Sequence, residues 1–239
     1  MRMRAKKWAR PELSVCPYFV KEPAQLRGKW ATAFKEEKPL CLELGCGKGG
    51  FLAQLALDNP QMNFVGVDLI SDVLAVARRN IQALYEEKGR EVDNILLTSI
   101  EITRIELDFS EEDCVDRIYI NFCNPWFKPS QHKKRLTHSY QLEKYRAFLK
   151  DGGEIWFKTD DDGLFKDSLG YFEEMGFSIE YITYDLHESG FSPNYRTEHE
   201  DMYTAQGIKT KFLIAKKLQG EYKAARPVRQ SAEDVEKGE

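Results

Sequence analysis

The fold this sequence predicts is an open α/β sheet, mostly parallel, with helices on both faces. Three observations carry it. Short apolar runs of strand length alternate with amphipathic runs at helical spacing. A glycine-rich turn, Gly45-Cys46-Gly47-Lys48-Gly49-Gly50, directly follows an apolar run. The last two β-rich runs have no helical period between them, which makes them antiparallel neighbours at the end of the sheet.

Taken in order, residues 1–30 show no clear periodicity and read as a basic arm that orders against the body or a partner. The run 39–46 (LCLELGCG) is the first strand, entering the glycine turn. Phe51, Leu52, Leu55 and Leu57 then make a helical stripe over 49–59. The run 63–70 (NFVGVDLI) is the second strand. Val73, Ala77, Ile81 and Leu84 space a helix over 71–89, with Ser71 as N-cap and Gly89 as stop. Strands three and four are 94–99 (NILLTS) and 116–122 (DRIYINF). The stretch 139–153 reads as a helix closed by Gly152 and Gly153, and 154–160 (EIWFKTD) as the fifth strand. A helix over 163–176 precedes the final pair, 178–186 and 210–218, for seven strands in all. Residues 31–218 thus form one domain, and the polar stretch 219–239 reads as a disordered tail.

Bulk composition narrows the function classes. With 239 residues, 42% hydrophobic and 31% charged, the chain has material for one core. No run reaches the ~18 consecutive apolar residues of a membrane span, and no apolar run follows the basic N-terminus as in a secretory signal. Five cysteines without a CxxC pair read as reduced thiols, and so as a cytoplasmic protein. The four histidines lack metal-ligand spacing, so no metal is assigned. Asp160, Asp161 and Asp162 are adjacent and point apart, and Asp162 reads as a helix N-cap. Net charge is −4, yet residues 1–30 carry eight Lys/Arg against two acids, among them Arg2 and Arg4. Lys128, Lys133, Lys134 and Arg135 form a second basic cluster. An acidic protein with two basic patches can bind a polyanion locally, although charge runs are also ordinary solvated surface.

The glycine turn lets backbone approach a ligand at the carboxyl edge of the sheet, through Gly45 and Gly47 first. Its spacing also satisfies the dinucleotide pattern GxGxxG. Glu43, two residues before the first glycine, argues against a diphosphate and suits the sulfonium and amino group of S-adenosylmethionine. Asp68 ends the second strand, where an acid accepts from both ribose hydroxyls. Glu101 follows the third strand, near the expected adenine. Read singly, Glu43 is also a solvated strand end and Asp68 a helix N-terminal acid.

The sequence resembles the bacterial tRNA (guanine-N7-)-methyltransferases over residues 1 to about 217. The likeness rests on MRMRAKKWA, GKWATAF (28–34), LELGCGKGGF, NFCNPWFK with HKKRLT, FKTDDDGLF (157–165) and TEHE (197–200), in family order. It implies a Rossmann-like class I methyltransferase fold with seven strands and an antiparallel last strand. It implies methyl transfer from S-adenosylmethionine to N7 of a guanine in the tRNA variable loop. By resemblance, Glu43, Asp68, Glu101 and Asn124 match cofactor positions. Lys128, Asp160, Thr197, Glu198, His199 and Glu200 match substrate positions. Arg2, Arg4, Lys133, Lys134 and Arg135 are the cations expected on RNA phosphates. No protein partner is identifiable, and monomer and homodimer both remain open.

This chain departs from the family at the mouth of the fourth strand. The usual pattern P-D-P-W-P-K-K-R-H reads C-N-P-W-F-K-P-S-Q here, so Asn124 stands for an aspartate and Gln131 for a histidine. Guanine N7 has a lone pair and no proton to lose, so no strong general base is required. Catalysis is then positioning plus stabilisation of charge moving onto the purine. Asn124 still accepts a hydrogen bond but supplies no charge, which shifts the catalytic load onto Asp160, helped by Glu198 or Glu200. Trp126 either stacks on a nucleotide or packs under its loop. Two alternatives stay open: a non-catalytic relative that binds tRNA and cofactor, and a small-molecule methyltransferase.

Overall fold

A computed structural model describes residues 6–220. Arg2, Arg4 and the tail from residue 221 onward lie outside the described residues. The strands are β1 (Phe19–Val20), β2 (Leu40–Leu44), β3 (Asn63–Asp68), β4 (Ile95–Ser99), β5 (Val115–Asn121), β6 (Leu149–Thr159), β7 (Phe177–Thr183) and β8 (Lys211–Lys217). The α-helices are α1 (Ala9–Ser14), α2 (Gly50–Asp58), α3 (Ser71–Glu87), α4 (Ser139–Phe148), α5 (Asp162–Glu174) and α6 (Glu198–Thr204). No described helix is long and apolar enough to cross a membrane.

The strands form one eight-stranded sheet in the order β1-β4-β3-β2-β5-β6-β8-β7. Seven of them run in one direction, and β8 alone is reversed, antiparallel to both β6 and β7. The central strand β2 is buried at every residue, as a strand covered on both faces must be. Strand order reverses at β2, between β3 and β5, so a ligand crevice opens outside the carboxyl ends of those strands.

Three sequence expectations change, and one is narrowed. The sheet has eight strands rather than seven. The added β1 is two residues long and pairs with Leu97 and Thr98 of β4, too short for any periodicity to register. From residue 6 the basic arm orders against the body, one of its two expected alternatives, with the Lys6 N–H donating to Asp72 Oδ2 at 3.1 Å. Arg79 lies 3.6 Å over the Trp8 ring and pairs with Glu12. Trp30 is fully buried, stacks on Phe109 at 4.8 Å and donates from Nε1 to the Asp108 carbonyl. Gly152 and Gly153 do not close a helix. Helix α4 ends at Phe148 and the glycines lie inside β6, where the register with β5 shifts between Val115 and Arg117. The caps also move by one residue. Asp161, not Asp162, caps α5 by accepting from the Leu164 N–H at 2.6 Å, and Ser71 is the first residue of α3 with Ile70 as its N-cap.

Candidate active site

The glycine turn leaves β2 in a conformation that demands glycine, with φ of +83° at Gly45, +54° at Gly47 and +74° at Gly49. A Cβ on Gly49 would stand 2.9 Å from the Ala77 Cβ, so this residue also lets α2 lie close on α3. Asp68, at the end of β3, ties the turn down. Its Oδ2 accepts from the Gly47 N–H at 3.1 Å and its Oδ1 from the Ile70 N–H at 2.9 Å.

Above these strand ends lies a cleft of about 960 Å³, of the size expected for a cofactor. Gly45, Asp68, Glu101 and Asn124 line it together with Leu69, Ile100, Asn121, Phe122, Cys123, Trp126, Tyr140 and Gln141. Lys133 and Lys134 also line it, so the cleft joins the expected cofactor residues to two of the cations expected on phosphates. Glu101 is exposed and accepts from Thr103 Oγ1 at 2.9 Å.

Glu43 stands one side chain behind that wall. It is 2% exposed, and its Oε1 accepts from Asn121 Nδ2 at 3.1 Å. Its Oε2 is buried without a hydrogen-bond partner among the described residues. Burial, helped by the nearby Asp68 charge, pushes the carboxyl up to about 8, while Asn121 and Lys158 pull the other way. A buried carboxyl with an unsatisfied oxygen gains by ionising beside a cationic ligand, whereas a phosphate would only disfavour its charged form further. The donor set therefore fits S-adenosylmethionine better than a dinucleotide.

At the mouth of β5, Phe122 and Trp126 adopt φ of +50° and +44°. Asn124 is exposed, and its Oδ1 accepts from the Trp126 N–H at 3.0 Å, an Asx turn that fixes the loop. An aspartate makes the same bond, so the substitution keeps the loop and gives up its charge. Lys134 Nζ lies 5.0 Å from the Trp126 ring, and Phe127 is 77% exposed beside exposed Lys128. Arg135 corrects the sequence reading of a phosphate-binding cation. It is 4% exposed, donating from Nε to the Pro125 carbonyl and pairing with Asp167 on α5 at 2.6 Å. It braces the loop from below.

The remaining substrate positions do not line the cleft. Asp160 follows β6 and is half-buried, and its carbonyl accepts from Lys211 Nζ at 2.7 Å. Thr197 caps α6, with Oγ1 accepting from the Glu200 N–H at 3.0 Å. Glu198 is exposed and pairs with Lys48 of the glycine turn at 2.6 Å. His199 stacks on Phe122 at 6.2 Å. Glu200 is the second correction. It is fully buried and accepts from Lys158 Nζ at 3.0 Å and Asn194 Nδ2 at 2.8 Å, which leaves it no face toward a substrate. Sequence reasoning gave no role to Asn121, Lys158 or Lys48. The one available signal was Lys158, a lysine inside an apolar strand.

Comparison with known proteins bears on the family and the fold. The profile of a family described as "Putative methyltransferase" matches residues 37–213. The tRNA (guanine-N(7)-)-methyltransferase of Clostridium beijerinckii is 57% identical over 217 residues, covering 91% of this chain and 99% of that protein. The protein of the same name from Clostridium perfringens (strain 13 / Type A) is 55% identical over 219 residues, covering 91% and 100%. Among solved structures, a 16S rRNA methyltransferase, KamB, superposes with a TM-score of 0.56 at 14% identity, covering 82% of this chain and 92% of that one. That likeness concerns the fold alone.

Proposed function

This chain belongs to the tRNA (guanine-N7-)-methyltransferase family, and on that premise we infer that it methylates N7 of a guanine in the variable loop of tRNA, using S-adenosylmethionine. The observation that carries the cofactor is the unsatisfied, buried Oε2 of Glu43 behind a cleft walled by Gly45, Asp68, Glu101 and Asn124.

S-adenosylmethionine supplies an electrophilic methyl group on a cationic sulfur. Asp68 presents its remaining acceptor capacity to the ribose hydroxyls and Glu101 faces the adenine side. Glu43, reached through Asn121, ionises against the positive charge that its burial otherwise disfavours. On the other side, the exposed carboxylate of Glu198 and that of Asp160 accept from the guanine N1–H and N2–H₂. They orient the N7 lone pair along the breaking bond and offset the charge growing on the purine. Lys128, Lys133 and Lys134 are exposed and hold phosphates, and Trp126 and Phe127 offer stacking surface at the rim. Arg2 and Arg4, outside the described residues, are further candidates for phosphate contact by resemblance. The reaction calls for a cytoplasmic protein.

The test is to incubate the protein with methyl-tritiated S-adenosylmethionine and unmodified tRNA, then digest to nucleosides. Label in 7-methylguanosine is expected. Binding of both partners without transfer, or label in another nucleoside, overturns the reading.

A further inference from the structure

We propose that Lys158 is a positioning residue for the methyl transfer: it anchors residues 194–200 to the sheet and so sets where Glu198 and His199 stand. This rests on the reaction proposed above. Lys158 lies in β6 opposite Asn121 of β5 and is 5% exposed. Its Nζ donates to Asn194 Oδ1 at 2.6 Å, the Tyr195 carbonyl at 2.7 Å and Glu200 Oε2 at 3.0 Å. All three acceptors belong to one segment, and all three ammonium protons are used.

The consequence concerns the Thr197–Glu200 run. Thr197 and Glu200 are occupied by each other in a reciprocal capping box, and Glu200 by Lys158 and Asn194. That leaves Glu198 and His199 as the exposed pair. Helix α6 has seven residues, too few to hold a fixed place without tertiary anchors. Its other tethers are weaker: the Lys48 to Glu198 pair is about half exposed at both ends and contributes little, and His187 makes a single hydrogen bond to Thr204 Oγ1 at 3.0 Å and lies 3.4 Å from Glu200 Oε1. The stack of His199 on Phe122 orients the helix against the cleft wall, and the buried anchor beneath it is Lys158. Removing one member of a buried pair leaves the other charge uncompensated, so the segment must shift.

The experiment compares wild type with Lys158→Met as full chains. It reads thermal unfolding, S-adenosylhomocysteine affinity by calorimetry, kcat and KM with unmodified tRNA, and amide hydrogen exchange. We expect kcat to fall by about 100-fold, the cost of a misplacement near 1 Å. We expect S-adenosylhomocysteine affinity to fall by less than about tenfold, because Lys158 also favours the charged form of Glu43, so kcat falls more than affinity; exchange should accelerate in 198–204 but not in β2 or β3. Glu198→Gln should lower kcat in wild type and add little in the Lys158→Met background, a coupling that a merely structural lysine would not produce. A folded Lys158→Met protein with kcat within about twofold of wild type overturns the proposal, as do fully additive effects. If Lys158→Met does not unfold cooperatively, Asn194→Ala decides. It removes one acceptor of Lys158 and one donor of Glu200 but keeps the ion pair, and should lower kcat about tenfold; a drop under about twofold refutes the anchor. If wild type transfers no methyl to tRNA, the reaction reading fails, while exchange in 198–204 still decides whether Lys158 is the anchor.

Discussion

Replacing Glu43 by glutamine should stabilise the ligand-free protein at neutral pH while weakening its hold on the cofactor. The carboxyl is pushed up from 4.5 to about 8, first by burial and then by Asp68. Between those values the folded chain keeps a proton that the unfolded chain has released. Stability from this group is therefore complete below pH 4.5 and drains away as pH rises toward 8. At pH 7 the loss spans about 2.5 pH units at ~1.4 kcal/mol each, or about 3 kcal/mol. A neutral amide matches the protonated carboxyl in size and escapes this loss. For a domain of this size the gain corresponds to about 6–12 °C in melting temperature. The assay is thermal unfolding of both proteins, without ligand, from pH 4.5 to 8. E43Q should melt level with wild type near pH 4.5 and progressively above it as pH rises. A difference that does not vary with pH, or a lower melting point for E43Q at pH 7, refutes the reasoning. Cofactor affinity supplies the converse reading. Relative to E43Q, wild type should bind S-adenosylmethionine more tightly as pH rises from 6 to 8, because the ligand's own amino group titrates in both experiments.

Three further outcomes follow from the site. Asp160→Asn should lower the single-turnover rate of methyl transfer about tenfold or more, and an unchanged rate removes Asp160 from catalysis. Asn124→Asp keeps the acceptor for the Trp126 N–H and adds a charge near the purine, so single turnover should quicken by about three- to tenfold; no change would mean that charge at this position has no part in the rate. Lys133→Ala with Lys134→Ala should flatten the salt dependence of tRNA binding by ~0.7–0.9 for each phosphate no longer neutralised. Arg135→Ala should instead cost about 2–4 kcal/mol in urea unfolding and leave the salt slope alone, because its guanidinium is buried against Asp167 and Pro125.

The parallel sheet was legible because its strands are continuous apolar runs and its first helices carry clean stripes. The cleft was legible through local signals: glycines where φ is positive, and acids at strand ends. What escaped reading depended on pairings distant in sequence. Strand β1 exists only through its pairing with β4, 78 residues away at Val20 and Thr98. Arg135 and Lys133 look alike in a run of cations, yet one faces α5 and the other the cleft. Glu198 and Glu200 are two residues apart, and the turn of α6 sends one to solvent and the other to Lys158. The glycines of β6 mimic a helix stop because a bulge needs the same backbone freedom.

The most direct test of the central claim is single-turnover methyl transfer to a tRNA carrying 7-deazaguanosine at the variable-loop guanosine. That base keeps the N1–H and N2–H₂ edge and lacks the N7 lone pair. The account predicts binding about equal to that of ordinary tRNA, within about twofold, and no transfer. Transfer of label to the 7-deaza tRNA at the rate of the ordinary substrate would contradict it, because the acceptor would then be an atom other than N7.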